Sequence, residues 1–292
     1  MKWNSASITS DLPNKPVSLM RRVDAHNHFW QYDPVRDAWI DDSMQVIRRN
    51  FFPDDLAPLL EANGFEGCVA VQADQSDTET KFLLDLAASA PFVKGVVGWT
   101  DLRAPFVEDQ LDKYRDQPLL KGFRHILQGE LNRCGMLQPA FLNGIAALGK
   151  KGYTYDILIF PDQLPFAATL CGKFSNQAFI IDHGAKPYIR KGEMDQWKKD
   201  MQAFRKMDHV YCKVSGLATE ADWTSWTPQQ IRPYIDTLVE TFGISRLVFG
   251  SDWPVSLLAG SYERTVSLVA DCFSASEQEA VFSTNARQFY KL

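Results

Sequence analysis

Cysteine is scarce in this 292-residue chain: Cys68, Cys134, Cys171, Cys212 and Cys272 are odd in number and widely scattered. No two have the spacing of a metal knuckle, and the set fits a reducing, cytoplasmic setting rather than a disulfide framework. Basic residues are not in surplus either. Lys and Arg total 31 against 36 Asp and Glu, a formal charge of -5, which argues against a nucleic-acid partner. No apolar run approaches the roughly 20 residues of a bilayer span, so no membrane partner is expected. Residues 1–20 lack a secretory apolar stretch and read as a loose N-terminal extension. No Gly-x-Gly-x-x-Gly follows an apolar run, so neither a dinucleotide crevice nor a phosphate loop is signalled. Histidine is rare too, five residues in all, which makes its placement informative.

What the chain does have is a rhythm. Apolar, β-branched segments begin near residues 22, 67, 93, 119, 154, 178, 210 and 247, each followed by a helical pattern. Helices are expected over 52–63, 77–90, 106–114, 138–150, 163–171, 195–207 and 228–242, and two more near 262–272 and 276–284 close the chain. Eight β-loop-α units in a chain of this length predict a single-domain α/β fold, a (β/α)8 TIM barrel over residues 21–292.

Such a barrel gathers the C-terminal ends of its strands at one mouth. The polar residues at those ends are His26, His28, Gln72, Asp101, Arg124, His125, Asp156, His183, Lys213 and Asp252. His26 and His28 stand two apart on one strand and share a face. They suit one divalent metal, a water or a substrate oxyanion. With His183 and Asp252 they form a set able to converge. Asp252 is an anion fit to take a proton from water, and Arg124 or Lys213 suits hydroxyls, a carboxylate or a developing oxyanion. Lys213 equally suits an ion pair with Asp182, and Asp156 a purely structural role.

Arg124 and His125 are adjacent and cannot both face the lumen. Arg124 is assigned inward, since a buried guanidinium demands a polar partner. His209, at the other end of its strand, reads as a surface residue. The aromatic stretch Phe29 to Trp39 reads as a lid or plug. Trp30, Trp99 and Trp253 suit either rim packing or flat walls for a sugar ring.

Asp24-Ala25-His26-Asn27-His28-Phe29-Trp30, Ile181-Asp182-His183-Gly184-Ala185-Lys186-Pro187, Lys213-Val214-Ser215-Gly216-Leu217 and Phe249-Gly250-Ser251-Asp252-Trp253-Pro254 carry a resemblance. The chain resembles the amidohydrolase superfamily, and within it the amidohydrolase 2 branch of sugar lactonases related to the pyrone dicarboxylate lactonase, over about residues 22–287. The resemblance implies that His26, His28 and His183 are catalytic or metal-binding and that Asp252 activates water. At the fifth strand, Tyr155-Asp156 supplies no bridging group for a two-metal centre. The cofactor expectation is therefore none strictly required, or one weakly bound zinc or manganese held by His26, His28, His183 and Asp252.

The reaction expected is hydrolysis of an aldonolactone, with Trp30, Gln72, Trp99, Arg124, Asp156, Lys186 and Trp253 as substrate-binding residues. One arginine argues for a neutral sugar lactone over a dicarboxylate, unless Arg190 is delivered by a loop. The alternatives are a metal-dependent decarboxylase or pyrone-dicarboxylate-type lactonase of the same barrel, and, remotely, a non-catalytic binding barrel. A monomer or homodimer is expected.

Overall fold

A computed structural model describes residues 21–292; the extension expected over residues 1–20 lies outside the described residues. The strands are β1 (Arg22–Asn27), β2 (Phe65–Val71), β3 (Val93–Gly98), β4 (Leu120–Ile126), β5 (Thr154–Leu158), β6 (Phe179–Ile181), β7 (Val210–Val214) and β8 (Leu247–Phe249). They pair in chain order, all parallel. Beyond the last ladder the sheet closes on itself. Asn27 bridges Trp253 in parallel, Asp252 N donates to His26 O (2.8 Å) and His28 N to Trp253 O (2.7 Å).

Each strand leads to a helix: α1 (Pro53–Ala62), α2 (Asp77–Ser89), α3 (Val107–Asp112), α4 (Pro139–Lys151), α5 (Leu164–Lys173), α6 (Asp195–Met201), α7 (Pro228–Phe242) and α8 (Tyr262–Ala270). The strands are apolar on both faces because helices cover one side and lumen packing the other. Val23, Ala25, Val69, Val71, Val97, Ile180 and Val248 fill the lower lumen. No helix of the described residues is long and apolar enough to cross a membrane.

The chain's end departs from expectation. After α9 (Ala275–Glu279), a π-helical turn at Ala280–Thr284 carries the backbone on into α10 (Asn285–Tyr290). Phe289 and Tyr290 then pack against the lumen residues and plug the base of the barrel. Aromatic pairs such as Phe289–Tyr290 at 4.8 Å bring large apolar area to that plug.

Candidate active site

The site begins with a register slip. Asp24 pairs with Cys68 but Asn27 pairs with Ala70, so β1 uses three steps where β2 uses two. Such a bulge reverses parity. Val23 and Ala25 line the lumen below it, and His26 and His28 meet the central charges above it. Asp24, two residues before His26, ties the first strand to the last. Its buried carboxylate accepts from Ser251 N (2.8 Å), Ser251 Oγ (2.6 Å) and Tyr262 Oη (3.1 Å). That clamp fixes the turn on which Asp252 sits at φ 58°, a left-handed conformation that persists only where surroundings enforce it.

At the centre, Asp252 Oδ1 lies 3.4 Å from His28 Nε2, 3.7 Å from His26 Nε2 and 3.8 Å from His183 Nε2. His183 is also left-handed, at φ 54°, and its Nδ1 meets Ser215 Oγ at 2.8 Å. Gly216 backs both groups: a Cβ there would fall 2.6 Å from His183 Nδ1 and 2.9 Å from Asp252 Oδ2. At Gly250 a Cβ would fall 2.4 Å from His26 Cβ. Both positions require glycine.

Beneath this layer lies a layer of charge. Lys213 Nζ reaches Asp156 Oδ2 (2.6 Å), Asp182 Oδ1 (3.0 Å) and His26 Nδ1 (2.9 Å). Tyr290 Oη donates to Asp156 Oδ2 (2.7 Å). Arg124 Nη1 donates to Asp182 Oδ2 at 3.0 Å, and Nη2 to the carbonyl of Gln72 and to its Oε1 at 3.0 Å. An ammonium and a guanidinium only donate, and Lys213 Nζ meets His26 Nδ1 while Arg124 Nη1 lies 3.3 Å from His26 Nε2, so a cation faces each nitrogen of the ring. His26 Nε2 also lies 3.2 Å from His28 Nε2, which is bare because His28 Nδ1 donates to Val71 O at 2.7 Å.

Burial, then the neighbouring Lys213 charge, holds His26 well below the ordinary imidazole value. Burial also lowers His28 and brings His183 to about 4, so all three rings are neutral at neutral pH. Burial alone would raise the Asp252 carboxyl, but the imidazoles around it, His183 foremost, hold it below the usual carboxylate range.

His26, His183 and Asp252 each present a ligand atom within 4.8 Å of the others. Zinc bound at about 2.0–2.1 Å spaces its ligands about 3.3–3.4 Å apart; Asp252 Oδ1 stands 3.7 Å from His26 Nε2 and 3.8 Å from His183 Nε2, while His28, expected as a fourth ligand, is not one of the three. The donor set fits one divalent ion.

Above it opens a cavity of about 330 Å³. Its walls include His28, Trp30, Trp39, Arg124, His183, Lys186 and Asp252, with Ile126, Gln128, Leu158 and Val255. Residues 23–292 match the family described as amidohydrolase. The chain belongs to that family. It is 38% identical over 285 residues to an L-fucono-1,5-lactonase of Burkholderia multivorans, covering 93% of this chain and 96% of that one. To an L-fucono-1,5-lactonase of Burkholderia ambifaria it is 33% identical, over 93% and 96% of the two chains. The crystal structure of a Burkholderia multivorans amidohydrolase with bound zinc superposes with TM-score 0.89 at 38% identity, covering 93% of this chain and 99% of that one.

Within this amidohydrolase barrel the expected residues divide. Trp30, Arg124 and Lys186 reach the cavity beside the histidines and Asp252. Gln72, Asp156, Trp99 and Trp253 do not. Gln72 is engaged at both ends of its amide by Arg124. Asp156 is one layer too deep, neutralising Lys213, and burial raises it to about 6. Trp99 turns outside the lumen and donates to His125 (3.3 Å), while Trp253 packs on Phe29 and Phe51 as core. His125 faces Glu130 (2.8 Å), half-buried His209 meets Cys171 O (3.0 Å), and Arg190 is exposed beside Asp222 (3.8 Å). Sequence reasoning missed Gln128 as a wall residue and Tyr290 beneath Asp156. Loops and a helix continued through a π turn carry no period that would reveal either.

Proposed function

We propose that this protein hydrolyses a neutral sugar lactone to the aldonic acid, with an L-aldono-1,5-lactone such as L-fucono-1,5-lactone as its substrate class. The observation that carries the reading is an ionised Asp252 set among three neutral imidazoles at the floor of a partly aromatic cavity. A binding barrel has no use for such a base. The two lactonase relatives support the substrate class. So does charge: Arg124 is paired with Asp182, and Lys186 Nζ faces Glu220 Oε1 at 3.4 Å. Little positive charge is left for a dicarboxylate.

Asp252 accepts a proton as water attacks the lactone C1, forming the C–O bond of a tetrahedral intermediate. His183, which lines the cavity beside Asp252, is the imidazole that faces its oxyanion. As the bond from C1 to the ring oxygen breaks, the proton on Asp252 passes to that oxygen and the ring opens as a hydroxy acid. A lactone is an activated ester, so these groups suffice without an ion. A divalent ion held by His26, His183 and Asp252 would supply Lewis acidity to the carbonyl and lower the pKa of water. The five free cysteines support a reducing compartment, the cytoplasm.

The test is acid release from a panel of aldonolactones in a weakly buffered indicator assay, before and after chelation. Release that survives chelation and falls about 10²–10⁴-fold in Asp252→Asn is expected. Release abolished by chelation and restored by zinc or manganese would make the ion essential. Silence across the panel would refute the lactonase.

A further inference from the structure

The polar side chains on the cavity wall are nearly all engaged elsewhere. Trp30 Nε1 donates to Arg49 O (2.9 Å), Arg124 is held by Asp182 and Gln72, and Lys186 faces Glu220. Gln128 is not. Its Oε1 is buried without a hydrogen-bond partner among the described residues, although the side chain lines the cavity. An unpaired buried amide oxygen destabilises a fold and calls for a reason.

Looseness of the loop is not that reason. Ile126 N donates to Gln75 Oε1 (2.8 Å), and Leu127 O accepts from Gln163 Nε2 (2.9 Å). Arg133 Nη1 donates to Gln128 O (2.8 Å) and Glu130 O (3.0 Å). Arg133 is itself gripped at both ends by Asp162, at 2.7 and 2.6 Å. Side chains thus clamp four backbone groups around Gln128, which holds the backbone that carries its amide at the cavity wall.

Resting on the lactonase reading above, we propose that Gln128 is a specificity-determining residue that binds a ring hydroxyl of the substrate. A primary amide donates and accepts, as a hydroxyl does, and a neutral group on an otherwise apolar stretch beside Ile126 and Leu158 suits a neutral polyol. The amide therefore favours a hydroxylated lactone over a hydroxyl-free one of the same ring size.

The test compares wild type and Gln128→Leu on the best aldono-1,5-lactone and on δ-valerolactone. The expected result is a drop in kcat/KM of about 10-fold on the hydroxylated lactone, with δ-valerolactone turnover unchanged. The ligand-free melting temperature should stay level or rise, because leucine removes the unpaired acceptor. Equal loss on both lactones with a lower melting temperature would reduce Gln128 to a loop support and overturn the proposal, as would undiminished activity on the sugar lactone. A wild-type protein inert toward every lactone would instead strike the lactonase reading itself.

Discussion

Replacing Gly216 by alanine adds one methyl group behind the two residues on which the chemistry depends. The backbone there has φ 58°, and a left-handed L-residue costs about 1–2 kcal/mol. The added Cβ would stand 2.6 Å from His183 Nδ1 and 2.9 Å from Asp252 Oδ2, where ordinary contact begins at 3.4 Å. His183 cannot simply retreat, since Ser215 Oγ holds the same nitrogen at 2.8 Å and its own backbone is already left-handed. The imidazole and carboxylate must therefore separate by several tenths of an ångström. Misplacement approaching 1 Å lowers rates about 10²-fold, or about 2.7 kcal/mol in the barrier. The expected outcome for Gly216→Ala is a kcat about 100-fold lower, a smaller change in KM, and a melting temperature lower by about 2–8 °C. Steady-state kinetics and a thermal scan check both. A variant with wild-type kcat would refute the claim that the back wall is this tight.

Lys213 is fully buried and pairs with Asp156 and Asp182, so Lys213→Met leaves Asp156 without a cation while Asp182 keeps Arg124. The expected loss is about 3–5 kcal/mol and about 10 °C in melting temperature; adding Asp156→Asn should restore part of it, and a melting temperature equal to wild type would show the charges are not coupled. The pH dependence follows from the neutral rings. His183, brought from 6.5 to about 4, accepts a proton only as pH falls through that lower value, so kcat/KM should hold through pH 6.5 and decline near 4. An inflection near 6.5 would mean that an imidazole of the site titrates as if in water.

The barrel was legible because apolar runs separated by helical patterns leave few other packings, and each strand's polar terminus marks the mouth. His26 and His28 share a face by strand parity, and the same parity sets Arg124 inward and His125 outward. Depth was not legible. Lys213, Asp156 and Gln72 look like mouth residues in a list of strand ends, yet one or two residues of register separate a wall from the layer under it. The bulge between Asp24 and Asn27 shifts that register without a composition signal. Trp99 and Trp253 failed as wall residues for a different reason: the direction a loop takes after its strand depends on partners far away in sequence. Gln128 belongs to a segment with no periodicity at all, and its position emerges only from the clamps that Gln75, Gln163 and Arg133 place on it.

The two backbone bonds that close the ring, from Asp252 N to His26 O and from His28 N to Trp253 O, run through the segments that carry Asp252, His26 and His28. They are also the meeting point of the first and last strands, some 225 positions apart. No fragment lacking either end of the barrel can therefore assemble the constellation, however well its remaining strands fold. Turnover becomes a reporter of ring closure: a split or circularly permuted chain would recover it only when its two halves have sealed this one seam.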